Sequence, residues 1–278
     1  MISLKRNKNG ELVNATGILP KNHKWRIYSP NQSKDFSVSR SRFDDYISCQ
    51  RCFFLKTNRG FVSPSTPGWT LNTLTDTLLK KEFDMCREKQ VPHRIMLENN
   101  LSNLVPYKSE FVKDKNGKDI LLLDKWRDSI HGGIKYRFKD TNIILQGGVD
   151  DIWFDTKTDE LVVVDYKSQQ DNNEVNQDNY FNKPHKAGYK RQLDFYAYML
   201  EGIGYKVSKS AYIYVCNAIE VDEGFNGKML FDEILIHHKI KNDYLDKEIE
   251  DMISLMNNDE IPDSHPSCEN CAYARQRS

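Results

Sequence analysis

Two Cys-x-x-Cys pairs stand at opposite ends of the sequence, Cys49 and Cys52 in "SCQRCFF" and Cys268 and Cys271 in "SCENCAY". Each pair can present two thiolates to one ion or cluster, so a shared centre demands a fold that brings the two ends of the chain together. On ligand count alone, a zinc ion and a [4Fe-4S] cluster serve equally well. The N-terminus "MISLKRNKNGELVNATG" lacks the apolar core of a leader, and no run of roughly 18 apolar residues occurs, so no membrane is expected and the expected compartment is the cytoplasm. There, six cysteines are thiols or metal ligands rather than disulfides. Cys86 and Cys216 fall inside helical and strand patterns and are expected to be plain core residues.

The 40 basic and 40 acidic side chains cancel, which argues against a histone-like coating of nucleic acid but permits a local basic cleft. Residues 1–35 are polar and read as an N-terminal extension with at most short strands, and residues 36–278 read as a single domain. Ser39 or Ser41 can cap a short helix running towards Cys52. From Leu71 to Gln90 the period is helical, with Leu71, Leu74, Leu78 and Met85 forming a stripe expected to face inwards. Residues 98–142 give no clear assignment. Further on, a helix is expected from about Lys186 to Leu200, a strand at "SAYIYVCNAI", and a helix in "NDYLDKEIEDMISLMNN" with Leu245, Ile249, Met252 and Ile253 inside. This order predicts an α/β fold with a central mixed sheet and flanking helices.

"GGVDDIWFDTKTDELVVVDYKSQ" reads as a hairpin with "DTKTDE" as its turn. In that register Asp155 faces Glu160, Val149 meets Tyr166 and Asp150 meets Asp165, while Lys167 shares the face of Asp165. Two carboxylates so placed repel each other unless a cation lies between them, and oxygen-only ligation suits magnesium or manganese. Each residue alone has a plainer reading: a turn aspartate, or an ion pair with a neighbouring lysine.

Taken together, a Gly-x-x-Asp ending, a hairpin and then "VVVDYKS" resemble the motifs of the PD-(D/E)XK nucleases, in particular their RecB-like branch. The resemblance spans about Phe36 to Tyr273 and implies a restriction-endonuclease-like core. It implies that Asp150, Asp165 and the carbonyl of Tyr166 hold Mg2+ or Mn2+ while Lys167 positions or activates the attacking water. "YKRQLDFYAYML" resembles the family's Gln-x-x-x-Tyr helix, giving Gln192 and Tyr196 as residues that steady the lysine and the DNA backbone. Where relatives carry a metal-binding histidine on the first helix, "LNTLTDTLLKKEFD" offers Asp76. Glu82, near the middle of the leucine stripe, is the rival ligand, and the two point about 120° apart at helical spacing. His93 and His131 are weaker candidates. For the cysteines the resemblance to AddB-like and CRISPR-associated relatives implies a [4Fe-4S] cluster joining the chain ends, with zinc as the alternative. Those relatives commonly use one cysteine near the N-terminus and three near the C-terminus, whereas this chain has two and two.

The resulting expectation is a metal-dependent DNA nuclease, of exonuclease type, acting on single strands or free ends, with a helicase or CRISPR-adaptation partner left open. Lys183, Lys186, Lys190 and Arg191 are candidates for holding phosphates. The rivals are a catalytically inactive DNA-binding or assembly module with the same fold and staple, and a zinc-binding protein of unrelated function.

Overall fold

The valine run of Glu160–Gln170 and the apolar stretch Ser210–Ile219 form neighbouring parallel strands in the computed structural model, which describes residues 3–222 and 224–277. Along the chain run β1 (Phe36–Ser39), α1 (Arg40–Ser48), α2 (Gln50–Asn58), α3 (Thr70–Lys89), α4 (Arg94–Glu98), β2 (Leu104–Pro106), β3 (Phe111–Lys113), β4 (Asp119–Leu121) and α5 (Leu122–Arg127). They are followed by β5 (Ile134–Arg137), β6 (Ile143–Gly147), β7 (Asp151–Asp155), β8 (Glu160–Gln170), α6 (Ala187–Gly202), β9 (Ser210–Ile219), β10 (Leu230–Lys239), α7 (Leu245–Met256) and α8 (Glu269–Arg277). The chain divides into one unit of Met1–Gly68, Arg137–Ile144 and Leu245–Ser278 and another of Trp69–Tyr136 and Leu145–Tyr244.

The second unit is built on a five-stranded sheet ordered β10-β9-β8-β7-β2. Only β8 and β9 run parallel, joined through α6 as a parallel pair requires; the other pairings are antiparallel, so the sheet is mixed as expected. Asp155 pairs with Glu160 and Asp151 with Val164, the register expected from the turn. Alternation along β8 sends Val162, Val164 and Tyr166 into the core cluster that contains Phe83 of α3, while Asp165 meets Gln192 of α6. Phe83 stacks on Trp153 and sits 5.5 Å from the Tyr166 ring, centroid to centroid.

The helix expected from Leu71 exists, but its expected inner face does not. Leu79, Phe83 and Arg87 are its buried residues, whereas Leu71, Leu74, Leu78 and Met85 are each more than half exposed. An arginine qualifies for the inner face because Asp151, itself fully buried, receives its guanidinium. β10 belongs to no expected element, and residues 98–142 prove to be elements of three to six residues, too short to show a period.

In the first unit Ser39 caps α1, its side chain accepting from the Arg42 N–H at 3.2 Å. The helix expected to continue to Cys52 breaks at Cys49, which is extended (φ −160°, ψ 105°) and ends α1 while opening α2. Leu245, Ile249 and Met252 of α7 are buried as expected, with Met256 one turn further on, and Ile253 is half-buried. Asn58 donates to the Met256 carbonyl at 2.7 Å. Within the polar N-terminal stretch, Tyr28 is buried and donates its hydroxyl proton to Asn257 Oδ1 at 2.8 Å. No described helix is long and apolar enough to cross a membrane.

Candidate active site

"GG" precedes "VD" for a steric reason. A Cβ on Gly147 would stand 2.5 Å from Cε1 of Tyr196, and one on Gly148 would stand 2.7 Å from Cβ of Ser129. The backbone therefore passes close to both and delivers Asp150 beside β8. There the Tyr166 N–H donates to Asp150 Oδ2 at 2.9 Å, although the ladder itself ends at Asp151–Val164, one residue short of the expected Asp150–Asp165 pair. Lys167 forms an ion pair with Asp165 and donates to the Tyr166 carbonyl at 3.3 Å, its ammonium 5.1 Å from the Tyr189 ring centroid. Asp76, Asp150, Tyr166, Lys167 and Tyr189 line one cavity of about 510 Å³, with Trp69 also on its wall.

Gln192 donates to Asp165 Oδ1 at 2.6 Å, so it orients the carboxylate rather than the lysine. Tyr196 accepts a longer contact from Gln192 at 3.4 Å, is buried against Gly147, and does not line the cavity. The structure thus gathers Asp76, Asp150, Asp165, the Tyr166 carbonyl, Lys167 and Gln192. It does not gather Glu82, which is half-exposed and pairs with Nε2 of His93 at 3.2 Å. The reason lies in the α3 face: with Leu79 and Phe83 inside, Glu82 turns away from the cavity. His93 is buried and caps α4, and His131 pairs with Asp128. Lys183 pairs with Asp171, Lys186 is buried beside Gln169 and over the Tyr180 ring, and Lys190 lies over Phe181, so these three are engaged internally.

Three neighbours escaped the sequence reading. Lys80, one turn after Asp76, stands 2.8 Å from Asp76 Oδ2 and 3.8 Å from Asp150 Oδ1, and the i,i+4 spacing was the available signal. Behind the site, Asp151 accepts from Arg87, from Arg127 at 3.0 Å and from the Tyr166 hydroxyl at 2.7 Å. Arg127 also donates to the Asp150 carbonyl at 3.1 Å, tying that buried frame to the backbone of the carboxylate facing the cavity.

The charges are strongly biased. Burial pushes the Asp165 carboxyl up to about 7, with the Asp150 charge adding to the effect against the pull of Lys167. Burial also opposes ionisation of Asp150, yet the ammonium groups of Lys167 and Lys80 outweigh it and hold that carboxyl below its usual range. Lys167 is disfavoured by burial but held above the ordinary lysine value by Asp165 and Asp150, so it stays charged. Burial raises Asp76, whose Oδ1 is buried without a hydrogen-bond partner. That orphaned oxygen, the all-oxygen donor set and the repelling carboxyls fit a hard divalent cation, which Asp76, Asp150, Asp165 and the Tyr166 carbonyl could hold.

A raised carboxyl keeps its proton in the folded state, so its favourable contribution is complete below about pH 4 and is lost as the pH rises towards about 7. Asp165→Asn imitates the protonated form. In EDTA, the melting temperature of wild type should therefore fall relative to Asp165→Asn between pH 5 and 8, read by paired thermal melts; a constant difference would contradict the assignment.

In the other unit the four cysteines converge. Cys52 Sγ lies 3.4 Å from that of Cys271 and 3.5 Å from that of Cys268, and Cys49 lies 3.9 Å from Cys271. Among the described residues this is the group whose metal-ligand atoms all lie within 4.8 Å of one another; the aspartates do not close to that degree. Burial opposes the Cys49 thiolate, but the N–H groups of Cys52 and His265 and the adjacent thiols bring its thiol down to about 7. Burial and the same neighbours push Cys52 far up. Four sulfur atoms this close form a group that could hold a metal ion, which would stabilise their thiolates. Cys216 is a buried core residue and Cys86 is half-buried on α3.

The sequence model of the PD-(D/E)XK nuclease superfamily matches residues 37–276. No curated protein matches the chain. Among solved structures, a Eubacterium rectale chain described as a "Putative exonuclease" superposes over 95% of this chain and 94% of its own, at 12% identity and a TM-score of 0.40.

Proposed function

The chain belongs to the PD-(D/E)XK nuclease superfamily, and from that premise we propose that it is a Mg2+- or Mn2+-dependent deoxyribonuclease of exonuclease type, with residues 36–278 as the nuclease domain. The observation that carries this reading is the convergence of Asp76, Asp150 and Lys167 on one cavity wall, with Asp165 paired to Lys167 behind it. The family uses divalent metals, and such an ion, if held by these oxygens, would supply a Lewis acid against negative charge on the phosphoryl oxygens. Lys167, paired with Asp165 and on the cavity wall, positions or activates the attacking water and offsets negative charge. Gln192 fixes the rotamer of Asp165, and Arg127 fixes the backbone at Asp150. Tyr189 and Trp69 on the cavity wall offer ring faces against which bases of a single strand or frayed end can stack. At the four cysteines, a [4Fe-4S] cluster, as the family resemblance implies, and a zinc ion are the two centres that suit four thiolates.

The purified chain, incubated with end-labelled single- and double-stranded DNA in magnesium or manganese, should release short products from the ends and should release none in EDTA. Products of internal cleavage would replace the exonuclease mode with an endonuclease mode, and binding without cleavage in any metal would replace the enzyme with the non-catalytic module. One observation favours that second reading: the Lys80 ammonium stands between Asp76 and Asp150, where a cation would otherwise be needed.

A further inference from the structure

We propose that the four cysteines hold one tetrahedral metal ion of the zinc type and not the [4Fe-4S] cluster, an inference independent of the nuclease reading. Four thiolates on a single zinc, each about 2.3 Å from it, stand about 3.8 Å from one another. The observed separations of 3.4, 3.5 and 3.9 Å sit at that value, and all four sulfur atoms lie within 4.8 Å of one another. In a [4Fe-4S] cluster each cysteine binds a different iron and points outward from its corner, so the thiolates must stand apart by the iron spacing plus the outward reach of two iron–sulfur bonds. The same cage must also contain the inorganic sulfides. A nest of this size has room for one ion and none for that inventory.

A two-iron cluster fails on pattern as well. It would sort the thiolates into two pairs, each pair on its own iron. Here Cys52 approaches both Cys268 and Cys271, and Cys271 also approaches Cys49, so the close contacts run through all four without a division. The backbone agrees with a compact knuckle. Cys49 and Cys52 straddle the first turn of α2, and Cys268 and Cys271 straddle the first turn of α8, where the Ala272 N–H donates to the Cys268 carbonyl at 2.9 Å. Each short loop thus points two sulfurs at one place.

The test is elemental analysis of the full chain, purified anaerobically without chelators from cells supplied with both iron and zinc. About one zinc per chain, negligible iron and no visible colour are expected. Replacing the zinc with cobalt should give the visible bands of a tetrahedral thiolate field. Cys268→His should retain zinc, because imidazole is an ordinary zinc ligand, while Cys268→Ala should lose it. About four irons per chain with broad brown absorbance would overturn the proposal, as would the absence of both metals from freshly isolated wild type. If the variants fail to accumulate, the wild-type metal content decides the matter.

Discussion

Lys167→Ala is expected to lower the cleavage rate by at least about 100-fold, the usual scale for removing a side chain that acts on the attacking group, while leaving the melting temperature close to that of wild type. The ammonium pairs with Asp165 on the cavity side, and removing it takes away the positive charge held against that carboxylate. Those carboxylates remain, so manganese binding measured by calorimetry should survive. That separation of binding from turnover distinguishes a residue acting on water from a ligand. Single-turnover cleavage at saturating manganese is the measurement, and a wild-type rate in the variant would remove Lys167 from the mechanism.

The second large effect concerns the cysteine centre. Structural zinc binding in small domains is worth about 10–16 kcal/mol, and although part of that is recovered by relaxation, a loss of even several kcal/mol matters here. For domains of this size each kcal/mol moves the melting temperature by about 2–4 °C, so stripping the metal with a thiol-competitive chelator should lower it by about 10 °C or more. The closed loop between Cys52 and Cys268 is long, and closing long loops is what a staple does best. Cys86→Ala, outside the nest, should cause a far smaller shift. Equal melting temperatures with and without metal would mean that the ends hold together through α2 and α7 alone.

The hairpin was readable because its turn is polar at every position and its two strands are not, which leaves one register that buries Trp153 and Val162 together. Asp150, Asp165 and Lys167 followed from that register. The inner face of α3 was not readable, because counting leucines cannot foresee that Arg87 would be buried against Asp151 while Leu71 and Leu74 stay in water. Glu82 was misplaced by the same stripe. Lys80 was missed although its i,i+4 spacing to Asp76 was visible, because its approach to Asp150 was not, and Arg127 and Asp151 were missed because nothing in the local pattern marks an ion pair whose partners lie dozens of residues away. β10 escaped because its polar positions, Asp232, Glu233, His237 and His238, come in doublets and blur the period of two.

The unit that carries the cysteines is gathered from three separate stretches, Met1–Gly68, Arg137–Ile144 and Leu245–Ser278, and its metal nest from the first and last of them. A ribosome adds about 5–20 residues per second, so the 216 positions from Cys52 to Cys268 take about 10 to 40 s to make. Throughout that interval Cys49 and Cys52 lack their partners, and every strand of the five-stranded sheet, all lying between Trp69 and Tyr244, is made before those partners are. The sheet unit can therefore fold before the cysteine nest can close, and a metal shared by all four thiolates is bound only once Cys271 has been made.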